Sequence, residues 1–234
     1  MEQSGVTLDR LHEPRGGSIG GRFAQTRRGG PGLARRSAFL IGTALLASVI
    51  IPHAASAGDA DAGRRKAETC AACHGPEGNP TIPTVPAIAG QPEVYLHWQL
   101  MLFRDNRRRD PQMTPLTAKL SDEDAGDLAA YYAAQKPAAK PAARGDGDTM
   151  TNGRRVSQAY HCSSCHAPDQ AGQRCAPNIT GQSYEYILKQ LRGFKAQTRG
   201  DLDGTMTSAA QPLTGADIEI LARYLAALPP ATRP

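Results

Sequence analysis

Two short runs carry the residues best suited to chemistry: Cys70-Ala-Ala-Cys73-His74 and Cys162-Ser-Ser-Cys165-His166. Cysteines three positions apart place two sulfurs on about one turn of helix, and the histidine directly behind them sets an imidazole beside the pair. That set suits covalent capture of a haem. The sulfurs add to its two vinyl groups and the imidazole reaches the iron as proximal ligand. One such motif could be a zinc knuckle or a redox dithiol; two copies, inside a repeat and behind an export-type amino terminus, disfavour both readings.

A six-coordinate iron needs a ligand on its other side, and a methionine thioether opposite the histidine raises the potential and suits reversible one-electron transfer. Met206 is the only methionine after the second motif. In the first half Met101 and Met113 compete, and the repeat described below selects Met113, leaving Met101 to an apolar helical stripe. His97 falls opposite Leu188 in that repeat and reads as a surface or core residue, with bis-histidine ligation the lesser alternative. His161 lies on the wrong side of Cys162 for the motif and reads as structural or partly exposed. The second nitrogen of a proximal imidazole ordinarily donates to a backbone carbonyl. Pro86 and Pro177, 12 and 11 positions beyond His74 and His166, are the candidates, although turn formation also explains a proline there. Cys175 is left over, and is expected to be a small buried residue, with an intermolecular disulfide or a reactive thiol as the alternative.

The elements that position these residues occur twice. GRRKAETCAACH, PAIAGQPEVYLHWQL and MTPLTAKLSDEDAGDLAAYYAAQ are followed by GRRVSQAYHCSSCH, PNITGQSYEYILKQL and MTSAAQPLTGADIEILARYLAAL. The first motif cysteine and the methionine are 43 positions apart in one copy and 44 in the other. Apolar residues recur at three- and four-residue spacing with no long alternating run, so both copies are expected to be helical, with three helices each. Ser121 with Asp124 and Thr214 with Asp217 set capping boxes for the last helix of each copy. Leu128, Tyr131, Tyr132, Leu221, Tyr224 and Leu225 should form the buried face of that helix. The proline- and glycine-containing stretch between the copies reads as an extended linker. The expected division is an export signal over 1–57, one domain over 58–136, a linker over 137–148 and a second domain over 149–230. Units of roughly 80 residues have small cores, and a covalent haem supplies the apolar guest that such a core lacks.

The amino terminus reads as a secretory signal. Arg27, Arg28, Arg35 and Arg36 precede the uncharged run Ala38 to Ile51, and Ala55-Ser56-Ala57 fits a cleavage site. The run is shorter than the roughly 20 residues that cross a bilayer, so no stable membrane anchor is expected. The formal charge of +5 belongs mostly to this segment. From Gly58 onward 20 basic residues face 19 acidic ones. With haem propionates added the balance turns mildly acidic, which removes any charge-based case for nucleic acid.

Together these landmarks resemble class I c-type cytochromes, and the tandem arrangement is similar to the dihaem cytochrome c4 family. The likeness rests on CAACHG and CSSCH, PAIAGQ and PNITGQ, Met113 followed by LSDEDAGDLAAYYA, and Met206 followed by LTGADIEILARYLAAL. It implies an all-α fold of two tandem class I cytochrome c domains, each a small helical fold wrapped around a covalent haem, and two haem c groups in all. By the same resemblance His74 with Met113 and His166 with Met206 are the axial pairs. The implied role is a periplasmic one-electron carrier between respiratory partners such as a quinol-oxidising complex, a terminal oxidase or a dehydrogenase, with no catalytic residues of its own. The alternatives are a dihaem peroxidase and the cytochrome subunit of a periplasmic dehydrogenase.

Overall fold

A computed structural model describes residues 58–138 and 145–231; the expected export signal and the middle of the expected linker lie outside the described residues. Among the described residues all regular structure is helical, apart from one isolated bridge between Gln173 and Ala176. The first copy forms α1 (Ala60–Lys66), α2 (Glu68–His74), α3 (Glu93–Arg104), α4 (Met113–Thr117) and α5 (Asp122–Ala133). The second forms α6 (Gly147–Ala159), α7 (Ser163–His166), α8 (Tyr184–Lys195), α9 (Thr205–Ala210) and α10 (Gly215–Ala227). Among the described residues five α-helices per copy replace the expected three, and the first copy adds a 3-10 turn at Pro76–Gly78. The extra ones are short: α2 and α7 hold the Cys-x-x-Cys-His runs, and α4 and α9 hold the methionines. Segments of four to seven residues are too brief to show an apolar period, so only tertiary contacts reveal them.

The last helix of each copy is the hub. α1 and α3 pack on α5, as α6 and α8 pack on α10. Both hubs start with the expected capping boxes: Asp124 N–H donates to Ser121 Oγ at 3.0 Å, and Asp217 N–H to Thr214 Oγ1 at 3.1 Å. Leu128, Tyr132, Leu221, Tyr224 and Leu225 are buried as their spacing requires, while Tyr131 is half-buried. Each hub is crossed closely by the first helix at a glycine. A Cβ on Gly63 would lie 2.0 Å from the Asp127 carbonyl oxygen, and one on Gly153 would lie 2.1 Å from Tyr224 Cβ. The second copy has the broader core, with Val156, Ile187, Leu191, Phe194, Ile218 and Leu221 in one cluster. In the first copy the corresponding cluster is Ala67, Leu96, Leu128, Ala129 and Tyr132.

The copies meet through hydrogen bonds that repeat under exchange of the two halves. Gln91 reaches the backbone of Asn178, and Gln182, its counterpart, reaches the backbone of Ala87. Lys189 Nζ adds an ion pair to Asp110 at 3.1 Å, and Ser183 Oγ donates to the Pro83 carbonyl.

Candidate haem sites

α2 carries Cys70, Cys73 and His74 within its seven residues; Cys162 opens α7, which contains Cys165 and His166. The helical turn leaves Cys70 and Cys162 half-buried and Cys73 and Cys165 exposed, all four as free sulfurs. Burial pushes the Cys70 and Cys162 thiols up. Both histidines are buried, at 6% and 9% exposure. His74 Nδ1 donates to the Pro86 carbonyl at 3.0 Å and His166 Nδ1 to the Pro177 carbonyl at 2.9 Å. A carbonyl only accepts, so Nδ1 holds the proton and Nε2 keeps its lone pair. Burial lowers both imidazole pKa values, only partly opposed by those bonds, so the rings are neutral and fit to ligate a metal.

The chain must reverse directly after each histidine. Gly75 and Ala167 adopt φ of 71° and 69°, in the left-handed region. At Gly75 a Cβ would lie 2.2 Å from the Asn79 carbonyl oxygen, so the turn there requires glycine. The methionines sit on the short helices, each held by an upstream aspartate. Met113 N–H donates to Asp110 Oδ1 at 3.2 Å, and Met206 N–H to Asp201 Oδ2 at 2.6 Å. Both side chains are half-buried, and Met206 packs on the second-copy core. Met101 is half-buried on α3; His97, also half-buried on α3, has its ring edge-on to Trp98 at 5.7 Å. His161 is exposed, with φ of 53°.

Cys175 corrects an expectation: it is exposed, not buried. Gln173 and Ala176 exchange backbone hydrogen bonds of 3.0 and 2.9 Å, which closes a tight turn with Arg174 and Cys175 at its tip. The turn itself is held because Gln173 Nε2 donates to the Cys165 carbonyl at 3.1 Å.

A further cluster, whose residues carry no motif in the sequence, brings together two arginines from the two copies. Arg108 is buried, its Cζ 4.4 Å from the Phe103 ring centroid, and donates to Gln99, to Tyr186 OH at 3.1 Å and to Gln190 Oε1 at 3.1 Å. Arg199 holds the equivalent place in the second copy, with Cζ 4.1 Å from the Phe194 centroid and a buried Nε that has no hydrogen-bond partner. Desolvation and the neighbouring Arg108 both lower the Arg199 pKa. For Tyr186 burial acts upward, but the Arg108 and Arg199 cations outweigh it and lower the phenol. Neither guanidinium has a carboxylate within 4 Å among the described residues. Buried cations without a counter-charge are costly. A guest bearing carboxylates, as haem does, fits this donor set together with the cysteines and neutral imidazoles. The signal that could have found these residues is the repeat itself, which aligns Tyr95 with Tyr186, Gln99 with Gln190 and Arg108 with Arg199.

Comparison with known proteins agrees with the geometry. The cytochrome c family model matches residues 60–135 and again 150–229. Cytochrome c4 of Pseudomonas aeruginosa is 38% identical over 74% of this chain and 90% of its own length. A thiosulfate dehydrogenase electron acceptor of Thiomonas intermedia is 35% identical over 70% of this chain and 80% of its own. The crystal structure of reduced cytochrome c4 from Pseudomonas stutzeri superposes with a TM-score of 0.67 at 33% identity, covering 74% of this chain and 100% of that one. The fold and sites therefore define a c-type cytochrome with two tandem haem domains. The chain belongs to the cytochrome c4 family. It is a dihaem electron-transfer protein carrying two covalently attached haem c groups, with which the Cys70/Cys73 and Cys162/Cys165 pairs are consistent.

Proposed function

We propose that the chain is a periplasmic one-electron carrier between respiratory redox partners, with His74/Met113 and His166/Met206 as the axial pairs and no substrate chemistry of its own. The observation that carries this reading is the duplication: two buried, neutral imidazoles anchored through Nδ1 in the same way, each followed by a methionine on a matching short helix. A peroxidase needs one iron with an open or displaceable position, and the matching placement of Met113 and Met206 argues against one. When bound, the haem supplies a reversible one-electron couple. The chain's residues do the rest. Cys70, Cys73, Cys162 and Cys165 tether it, the Pro86 and Pro177 carbonyls orient the imidazoles, and Arg108 and Arg199 supply positive charge toward its carboxylates. The functional units are 58–136 and 149–230, with 137–148 between them, of which Gly147 and Asp148 already belong to α6. Among the described residues no helix is long and apolar enough to cross a membrane.

Hydrogen peroxide added to half-reduced protein should give no turnover, and sustained turnover would contradict the carrier reading. A second reading is favoured by the relative named as a thiosulfate dehydrogenase electron acceptor: the same dihaem unit serving as the accepting subunit of a dehydrogenase. Recovery of the native protein separates the two. A free shuttle leaves the column alone, whereas an accepting subunit leaves it with a dehydrogenase. A quinol-oxidising complex as donor and a terminal oxidase as acceptor are the partners expected for the shuttle.

A further inference from the structure

The peptide group that receives each proximal imidazole is itself held by the opposite domain. Pro86 C=O and Ala87 N–H belong to one amide. The carbonyl accepts from His74 Nδ1 at 3.0 Å, and the N–H donates to Gln182 Oε1 at 3.0 Å. Gln182 Nε2 closes the clamp on the Ala87 carbonyl at 2.5 Å. The arrangement recurs with the halves exchanged. Pro177 C=O accepts from His166 Nδ1 at 2.9 Å, Asn178 N–H of the same amide donates to Gln91 Oε1 at 2.9 Å, and Gln91 Nε2 donates to the Asn178 carbonyl at 2.8 Å.

Both glutamines are buried, at 5% and 7% exposure, where hydrogen bonds are strongest and least screened. Their aim is set by the glycine before each. Gly90 and Gly181 adopt φ of 67° and 63°, and their N–H groups donate to Tyr132 O at 2.9 Å and Leu225 O at 3.1 Å on the last helix of their own copies. A Cβ would lie 2.9 Å from Pro137 at the first and 2.5 Å from Pro230 at the second. The GQ pair thus hangs on its own domain and grips the other.

We propose that Gln91 and Gln182 are positioning residues that tune the haem of the opposite domain through a two-bond relay, imidazole to amide to glutamine. An amide whose N–H donates is polarised, and its carbonyl becomes a better acceptor. A better acceptor on Nδ1–H makes the imidazole a stronger donor to the metal, which favours the ferric state and lowers the potential. Gln182 therefore holds the first haem's potential down, and Gln91 the second's. The inference rests on His74 and His166 being the proximal ligands.

The test is a pair of near-isosteric variants of the holoprotein, Gln182→Met and Gln91→Met, with the potential of each haem resolved by redox titration. The expected pattern is crossed: Gln182→Met raises the potential of the haem on Cys70/Cys73, and Gln91→Met that of the haem on Cys162/Cys165. The expected change is about threefold in the reduction equilibrium, roughly 30 mV for one electron at 59 mV per tenfold. Shifts confined to the substituted domain, equal shifts in both haems, or none would overturn the relay. Gln182→Asn and Gln91→Asn, polar but one methylene short, should give the same pattern and serve where the methionine variants do not fold. The low-spin spectrum recorded on the same samples separates the two claims. An uncrossed pattern with histidine ligation intact defeats the relay alone, whereas wild-type protein without histidine-ligated haem defeats the axial assignment and the relay with it.

Discussion

The two halves solve the same geometric problem with different residues, and the first half has the more suitable ones. At four matching positions the backbone enters the left-handed region; glycine serves both halves at Gly90 and Gly181, and the other three pairs differ. The first half places Gly75, Gly78 and Asn106 there, and the second places Ala167, Gln170 and Gln197, at φ of 69°, 61° and 56°. Hydrogen bonding is equivalent at two of these: Gly78 N–H to Gly75 O and Gln170 N–H to Ala167 O, then Asn106 N–H to Phe103 O and Gln197 N–H to Phe194 O. A left-handed conformation costs an ordinary L-residue roughly 1–2 kcal/mol, and glycine or asparagine much less. The second half holds these turns with ordinary L-residues, although the first has one such residue of its own in Glu77, at φ of 55°, and the second has the broader apolar core. Equal architecture, then, does not mean equal local stability, and the balance between turn strain and core size differs from one haem domain to the other.

The sharpest way to break the equivalence of the two halves is to crowd the helix crossings. Gly63→Ala and Gly153→Ala drive a methyl into the Asp127 backbone and the Tyr224 side-chain root, so each should destabilise its own domain by about 1–3 kcal/mol in chemical denaturation. A cost in one half only would show that the crossings are not equivalent. The turn comparison predicts opposite signs for exchanged residues. Ala167→Gly should stabilise the second domain by about 1 kcal/mol, and Gly75→Ala should destabilise the first by more, since its Cβ also meets the Asn79 carbonyl. Gln197→Asn should raise the second domain's stability by about 0.5 kcal/mol in the same assay.

The smallest difference is electrostatic. In the first half Lys66 Nζ lies 2.7 Å from Asp124 and 2.6 Å from Asp127, and the second half places Val156 at the matching position. Lys66, then the amide and hydroxyl of Ser121, hold Asp124 down to about 2, and Lys66 likewise lowers Asp127. Carboxylates depressed in the folded state contribute stability that is fully present above their unfolded pKa, about 3.9, and is lost as pH falls through the folded value. The first domain should therefore lose this contribution between about pH 4 and pH 2. In Lys66→Met the slope of stability against pH over that window should flatten in the first domain alone, as read by domain-resolved amide exchange. An unchanged slope would remove the ion pairs from the account.

Much of this was legible in the sequence because the repeat states each element twice. The capping boxes of α5 and α10 and the burial of Leu128, Tyr132, Leu221, Tyr224 and Leu225 follow from residue type and spacing, and the Pro86 and Pro177 carbonyls accept from the two imidazoles as a second anchor. The helix count and Cys175 were misread because a four-residue helix has no period and a two-residue turn tip has no signature beyond Arg174 and Cys175 themselves. Gln91, Gln182, Arg108 and Arg199 stood in the alignment as matched residues, but their roles depend on contacts between the halves, which no local pattern encodes.

The most direct test of the account is the visible and far-red spectrum of the oxidised holoprotein beside its pyridine haemochrome. Two haems per chain with the weak far-red methionine-to-ferric band at the intensity of two irons, falling by half in Met113→Ala and by half in Met206→Ala, is the predicted result. One high-spin iron, or a band of single intensity that only one of the two substitutions affects, would contradict it.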